Sequence, residues 1–165
     1  MLKYYQHMMK NFNNNQIIIG TIFLSNLESN LYLREIARLS GLDVKIVFRE
    51  LKKMRDYNLL DYNKKGRMKF YFLKSNIETE LFLISCEIYK NLQFLEKNHL
   101  LKPKLTQIFR RTDFLVFGSF AKGSQTKGSD LDLVIFSEDK KVKNLVEENL
   151  KKVHAQYIEF DEFLK

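Results

Sequence analysis

The sequence predicts an α+β protein built from two unlike halves. Three observations predict it: apolar residues recur at helical spacing over 16–54, two aromatic-rich runs then flank a turn, and strands alternate with helices after residue 103. The chain has 165 residues, of which 45% are apolar, enough for a folded core. We therefore expect a helix-and-hairpin domain at 1–74, a linker or dimerisation helix at 75–102, and a small α/β domain with a mixed sheet at 103–165.

The positive charge is confined to the first half. The formal net charge is +8, and residues 1–74 carry 14 Lys+Arg against 6 Asp+Glu, whereas residues 75–165 carry 14 of each. This asymmetry predicts a module that binds a polyanion, joined to a second module with another role. The alternative is a basic proteome with locally uneven charge.

Composition also predicts the compartment. The single cysteine, Cys86, excludes an internal disulfide and suits a reducing cytoplasm, and we expect it in the core of a helix. The start lacks the apolar centre of a signal peptide, and the most apolar run is about half of the roughly 20 residues that span a bilayer. We expect a cytoplasmic protein with no membrane partner.

His7, His99 and His154 are scattered, and none is assigned to a metal.

The first half predicts three helices. Residues 16–27 and 33–39 are the first two, and "SGLD" connects the second to the third, with Gly41 ending one helix and Asp43 capping the next. The third helix has an apolar stripe and a basic face. We expect its buried stripe to comprise Val44, Val47, Phe48, Leu51 and Met54, and its opposite face to carry Lys45, Arg49 and Lys52.

A hairpin with a basic tip follows the third helix. Two apolar, aromatic-rich runs flank "NKKG", which is a hairpin pattern. Helix, helix, turn, helix and basic hairpin make a winged helix-turn-helix, and residues 16–74 resemble such domains of small archaeal and bacterial regulators. A basic helix face suits the DNA major groove, and the hairpin suits an adjacent phosphate backbone. The expected DNA-binding residues are Lys45, Arg49, Lys52, Lys64, Lys65 and Arg67. A protein-docking or dimerisation unit is the alternative.

Residues 76–97 predict one long helix. Ile77, Leu81, Ile84, Ile88 and Leu95 fall at spacings that suit a seam between two subunits of a homodimer. Packing of this helix on its own chain is the other interpretation. Pro103, which lies just beyond the helix, marks the expected domain boundary.

Half of the six glycines lie within 118–128, just ahead of two aspartates. Gly118 and Ser119 follow the apolar run "FLVF", which we expect to be a buried strand, and open a short helix where a phosphate could approach the backbone N–H groups. Asp130 and Asp132 are two apart on the next strand, so both carboxylates share one face. Two carboxylates on one face repel unless a divalent cation lies between them.

The stretch "GSFAKGSQTKGSDLDLVIF" resembles the signature of the DNA polymerase β-like nucleotidyltransferase superfamily, and most closely its minimal prokaryotic members. The resemblance covers roughly residues 104–165. It implies a nucleoside triphosphate bound at Gly118, Ser119, Gly123 and Ser129. It further implies catalytic Asp130 and Asp132 holding Mg²⁺, with two ions possible.

The implied reaction is transfer of a nucleoside monophosphate, foremost AMP from ATP, to a protein or nucleic-acid acceptor. The resemblance includes antitoxins that adenylylate a partner toxin. Active members usually carry a third carboxylate on a later strand, here "VHAQYIEF", which has no aspartate at its centre. Glu159 is the nearest candidate. A solvated strand end is the other interpretation of Glu159. The alternative function, which is compatible with transfer, is a DNA-binding regulator whose transferase domain binds nucleotide without turnover.

Overall fold

The computed structural model describes residues 12–25 and 30–163. Internal contacts divide the chain into two compact units, Met1–Leu92 and Gln93–Lys165. The last part of the helix expected at 16–27 lies outside the described residues. Across the described ranges, no helix combines the length and the apolarity that crossing a bilayer requires.

The first unit is a winged helix-turn-helix. Its elements are α1 (Asn14–Leu24), β1 (Leu31–Tyr32), α2 (Leu33–Ser40), α3 (Val44–Asp56), β2 (Leu60–Lys65) and β3 (Met68–Leu73). The three strands form an antiparallel sheet in the order β1-β3-β2. The fold predicted from helix spacing and the hairpin motif is confirmed, and the short strand β1 is an addition to it.

Local sequence explains where the helices begin and end. The Asn13 side chain accepts a hydrogen bond from the Gln16 N–H at 3.0 Å, and the Gln16 side chain accepts one from the Asn13 N–H, a capping box that starts α1. Gly41 ends α2 with a φ of 67°, which a glycine adopts without steric cost. Asp43 accepts from the Lys45 N–H at 2.8 Å and starts α3.

A single apolar cluster holds the first unit together. The ring of Phe82 and the thiol of Cys86 occupy the space that a side chain at Gly20 would need, so α1 packs closely on this part of the chain. Cys86 is fully buried, as expected, and burial raises the pKa of its thiol to about 12. The cluster also contains Ile19, Phe23, Ile36, Val47, Leu51, Met54, Leu59, Leu60 and Tyr71.

The buried face of α3 differs from the expected stripe. Val47, Leu51 and Met54 are fully buried, but Val44 is 40% exposed and Phe48 is 52% exposed. At 100° per residue, Val44 and Phe48 lie about 60° and 100° from Val47, just outside the buried arc. The arc extends in the opposite direction, where a charged residue, Glu50, is buried instead.

Glu50 is fully buried and bound by three side chains. Asn13 Nδ2 donates to it at 2.9 Å, Arg49 Nε donates at 2.9 Å, and Lys53 Nζ lies 3.4 Å from Oε2. Burial opposes ionisation of this carboxyl, but these hydrogen bonds and the charge of Lys53 more than offset that penalty, so the pKa of Glu50 lies below its ordinary value. Glu50 therefore connects the start of α1 to the basic face of α3.

The long helix α4 (Ile77–Lys97) is confirmed, but the unit division falls within it. In the first unit Leu81 and Phe82 are buried, whereas Ile77, Ile84, Ile88 and Leu92 are each about half exposed. The prediction that Leu81 lies in a seam between two subunits is therefore wrong, because its side chain is buried within the chain itself. Since part of this helix belongs to the first core, residues 75–102 are not a free-standing linker.

The second unit is a small α/β domain with a mixed sheet, as expected. After the end of α4 come α5 (Lys102–Phe109), β4 (Phe114–Phe117), α6 (Gly118–Lys122), β5 (Leu131–Ile135), α7 (Lys140–Asn149), β6 (Val153–Tyr157) and α8 (Phe160–Phe163). The strand order is β4-β5-β6, with β4 antiparallel and β6 parallel to β5. Pro103 lies in the first turn of α5, a position that needs no backbone N–H donor.

The core of the second unit lies on one face of β5. Leu131, Leu133 and Ile135 are buried and alternate with more exposed residues, as the sequence predicted. The expectation that "FLVF" is a buried strand is wrong, because β4 is an edge strand and Leu115 is 45% exposed. The cluster also contains Leu105, Ile108, Val142, Val146 and Leu150.

Replacing Glu50 tests its role as the buried anchor of α3. Because the pKa of Glu50 is lowered on folding, its stabilisation is present above the unfolded pKa of about 4.3 and is lost as the pH falls through the folded value. We expect Glu50→Gln to lower the free energy of unfolding by about 1–3 kcal/mol at neutral pH, and by much less near pH 3.

Urea denaturation at both pH values measures this difference. Glu87→Gln, which removes an exposed carboxylate from the middle of α4, is the matched control and should change stability by less than about 0.5 kcal/mol. An equal loss for Glu50→Gln at both pH values would contradict the account.

Candidate functional site

The second unit brings its predicted site residues to the central strand of its sheet. Asp132, the second residue of β5, pairs with Phe117 at the end of β4 on one side and with His154 of β6 on the other. Because both neighbours are hydrogen-bonded strands, the position of Asp132 is fixed from two directions. Its side chain is 24% exposed, so the carboxylate lies at the edge of the core with one side open to solvent.

Gly118 is the first residue of α6 and touches Asp132. Its φ is 68°, in the left-handed region, and a Cβ built at Gly118 would overlap the carboxylate of Asp132. A glycine is therefore required here for two separate reasons, backbone conformation and close approach. The structure places the predicted glycine turn directly against Asp132, the second of the two candidate metal ligands.

The connection from α6 to β5 is held by local hydrogen bonds. Gly123 ends α6 with a φ of 69°, and the Ser124 N–H donates to the Ser119 carbonyl at 2.9 Å. The Ser129 hydroxyl accepts from the Thr126 N–H at 2.9 Å, so Ser129 shapes the turn that precedes Asp130. Of the predicted nucleotide-binding residues, Gly118 lies against Asp132, whereas Gly123 and Ser129 close the two ends of the loop.

Asp130 and Asp132 are two residues apart at the start of β5, and that their carboxylates share one face stays a prediction. Asp130 is exposed and immediately precedes β5, and Leu131 between them is buried on the opposite side. Within residues 12–25 and 30–163, no three His, Cys, Asp or Glu side chains form a set that could hold a metal ion. Two carboxylates suit Mg²⁺ bound with a nucleotide, because such ions take one or two carboxylates and complete their coordination with phosphates and water.

The residue that sequence reasoning missed is His154. It lies opposite Asp132 in the parallel pairing, and its Nδ1 is 3.4 Å from Asp132 Oδ1, with 66% of its side chain exposed. Its isolation in the sequence gave no reason to single it out. The clue was in the pairing: on a parallel strand the residue in register with Asp132 must share its face.

Glu159 lies just beyond the end of β6. It is exposed, and its carbonyl accepts hydrogen bonds from the Glu162 and Phe163 N–H groups at the start of α8. Four residues lie between it and His154. That Glu159 supplies the third carboxylate stays a prediction.

The first unit presents its predicted basic residues on its surface. Lys45, Arg49 and Lys52 are exposed on α3, and Arg49 is held at its Nε by the buried Glu50. The exposed ring of Phe48 borders the same face. This basic face of α3 thus combines cationic groups with one aromatic ring.

The hairpin carries the remaining predicted cations. Residues 66 and 67 form a two-residue turn between β2 and β3, and Lys64, Lys65 and Arg67 are exposed around it. Lys69 Nζ lies 4.2 Å from the centre of the Tyr62 ring, and a hydrogen bond and the charge of Lys69 lower the pKa of Tyr62.

Comparison with known families agrees with the site geometry. Residues 100–164 match the family model of the nucleotidyltransferase domain, a range that includes Gly118, Asp130 and Asp132. The part of the second unit at 100–164 is thus similar to nucleotidyltransferase domains, and the first unit has the winged helix-turn-helix fold. No curated protein matches the chain.

Several solved structures are similar to part of the chain. A predicted DNA-binding transcriptional regulator from E. coli is 20% identical, with 45% of this chain and 75% of that chain covered and a TM-score of 0.37. MepR, a transcription regulator of the Staphylococcus aureus multidrug efflux pump MepA, is 16% identical over 64% of this chain and 83% of its own, with a TM-score of 0.44. Sso10a-2, a DNA-binding protein from Sulfolobus solfataricus, is 17% identical over 62% of this chain and 100% of its own, with a TM-score of 0.41.

Two glycine replacements separate close approach from backbone conformation. Gly118 and Gly123 have nearly the same positive φ, but only Gly118 has the Asp132 carboxylate in the space of a Cβ. We expect Gly123→Ala to cost about 1 kcal/mol of stability from its backbone conformation alone, and Gly118→Ala to cost about 1–3 kcal/mol more.

Thermal and urea unfolding of the two variants give this difference. Gly118→Ala combined with Asp132→Ala should recover most of the extra loss, because the overlapping carboxylate is gone. Equal losses for the two single variants would show that the contact with Asp132 carries no constraint.

Proposed function

We propose that the second unit transfers a nucleoside monophosphate, with AMP from ATP as the foremost case, to an acceptor. The observation that carries this proposal is the glycine turn at Gly118 against Asp132, inside a segment that matches the nucleotidyltransferase domain. In an ordinary turn before a strand, no neighbouring group needs to fill the space of a side chain, so a glycine is not required. At Gly118 the Asp132 carboxylate fills that space. Such close packing suits a site where a triphosphate must reach this carboxylate.

Each residue has a distinct part in this reaction. The family resemblance assigns the triphosphate to the turn at Gly118 and Ser119, and Mg²⁺ to Asp130 and Asp132. When bound, the ions stabilise negative charge on the attacking and leaving oxygens of an in-line displacement. The buried Leu131 and Leu133 keep the aspartate side chains directed to the open face, because alternate strand residues must point to opposite faces.

The acceptor is a protein or a nucleic acid. A protein acceptor follows from the resemblance to antitoxins that adenylylate a partner toxin. A nucleic acid, either as the acceptor or as a regulatory DNA site, is suggested by the charge of the first unit. The net charge of residues 1–74 is +8, and it includes the basic face of α3. The two are compatible, since a chain that binds DNA through one unit can modify a protein with the other.

DNA binding through the first unit is the second part of the proposal. The basic face of α3 and the cations of the hairpin tip are exposed on elements that winged helix-turn-helix domains place in the major groove and on the phosphate backbone. If the transferase unit binds nucleotide without turnover, this function stands alone and the chain is a nucleotide-responsive regulator. A homodimer formed through the exposed residues of α4 would suit a symmetric DNA site.

Transfer is tested with α-labelled ATP, Mg²⁺ and candidate acceptors. We expect Asp130→Asn with Asp132→Asn to lower labelling about a hundredfold or more, because the ions contribute several kcal/mol to the transition state. Asp113→Asn, which changes an exposed carboxylate before β4, is the matched control and should retain labelling. Labelling that the double variant leaves intact would exclude this site, and absence of labelling with all four nucleotides would favour the regulator.

DNA binding is tested by titrating a mixed-sequence duplex at several salt concentrations. We expect Arg49→Ala with Lys52→Ala to weaken binding and to reduce the slope of log K against log salt by about two, since each phosphate contact contributes about 0.9. Lys140→Ala with Lys141→Ala removes the same charge from the exposed surface of the second unit and should leave the slope unchanged. Equal effects of the two double variants would argue against a groove-binding role for α3.

A further inference from the structure

We propose that His154 is a metal ligand beside Asp132, and that the nucleotide site consequently prefers a cation that accepts nitrogen, such as Mn²⁺, over Mg²⁺. This inference rests on the proposed nucleotidyl-transfer function. It departs from a site made only of carboxylates, and it starts from the strand register of the second unit. His154 shares a face with Asp132 because β5 and β6 run parallel and pair these two residues directly.

The separation of the two side chains suits a shared ion. Nδ1 of His154 lies 3.4 Å from Oδ1 of Asp132, which is longer than the 2.7–3.2 Å of an ordinary N–H···O hydrogen bond. Two donor atoms that each lie about 2.1 Å from one ion are separated by roughly 3.0 Å in an octahedral site and 3.4 Å in a tetrahedral one. The pair is therefore about 0.4 Å wider than two neighbouring ligands of an octahedral ion, a difference that a small rotation of the exposed His154 side chain would remove.

The surroundings leave this position open to a cation and its nucleotide. The other carboxylate oxygen of Asp132, Oδ2, is the atom nearest to the missing side chain of Gly118, so Oδ1 is the oxygen directed to His154. His154 is 66% exposed, so an ion bound to it remains accessible to phosphate oxygens and water. Those oxygens, together with the carboxylate of Asp130, would complete the coordination.

The chemistry of the donors sets the expected preference. Mg²⁺ takes oxygen ligands and releases its waters reluctantly, whereas imidazole suits first-row transition ions and zinc. A site that offers an imidazole beside the two aspartate carboxylates should thus favour Mn²⁺ over Mg²⁺. Replacing His154 with aspartate would leave only oxygen ligands at the site.

The experiment titrates the full chain with Mn²⁺ and follows the free ion by electron paramagnetic resonance, with Mg²⁺ measured by competition. Both titrations are made with and without an ATP analogue that cannot be cleaved between its α and β phosphates. We expect His154→Ala to weaken Mn²⁺ binding about tenfold or more and to change Mg²⁺ binding by less than about threefold. His154→Asp should lower the Mn²⁺-to-Mg²⁺ affinity ratio about tenfold.

His99→Ala, which removes an exposed histidine outside the site, is the matched control and should bind both ions as the unmodified chain does. Unchanged Mn²⁺ binding in His154→Ala, with loss in Asp132→Asn, would overturn the role of His154 and leave the proposed transfer site standing. Unchanged binding in both variants would overturn the metal site and the proposed function together. Because His154 is largely exposed, these variants are expected to fold, and circular dichroism verifies it.

Discussion

The pairing of β5 on both of its edges is the constraint on which the second unit depends. A central strand cannot shift its register without breaking two ladders, and a shift by one residue would exchange its buried and open faces. Asp132 is therefore fixed relative to the glycine turn at the end of β4 and to His154 on β6. Three elements that are distant in sequence meet at one carboxylate because one strand lies between the other two.

In the first unit, the packing of α3 keeps the basic face of this helix exposed to solvent. Helix α3 buries an arc of apolar residues and adds one buried carboxylate, Glu50, whose partners include Arg49 and Lys53 from the cationic side. A buried charge is costly unless it is paired and hydrogen-bonded, and here the pairing fixes the orientation of the helix about its own axis. The same interaction thus stabilises the core and holds the Arg49 guanidinium at the exposed basic face of α3.

The sequence predicted most of the architecture because its patterns are local. Helix spacing, the Asp43 cap, the "NKKG" hairpin and the alternation of Leu131, Asp132 and Leu133 each depend on a few neighbouring residues, and the fold carries all of them. The errors arose where a local pattern has two solutions. Val44 and Phe48 fit an apolar stripe equally well, and only the packing of α1 and Glu50 rotates them outward. Likewise, the apolar run of β4 looks like a central strand, but it lies at an edge.

The sequence by itself determined the chemistry of the candidate site: a glycine turn, then two aspartates on one face of a strand, within a segment whose order of residues is distinctive. Only the tertiary structure decided which residue of the next strand lies beside Asp132. Glu159 was the natural choice because it is acidic, yet it lies beyond the end of β6, whereas His154 meets Asp132 across the sheet. The reason is that the alternation of faces within one strand follows directly from the order of its residues. The register between β5 and β6, which α7 connects, depends instead on how that helix packs against the sheet.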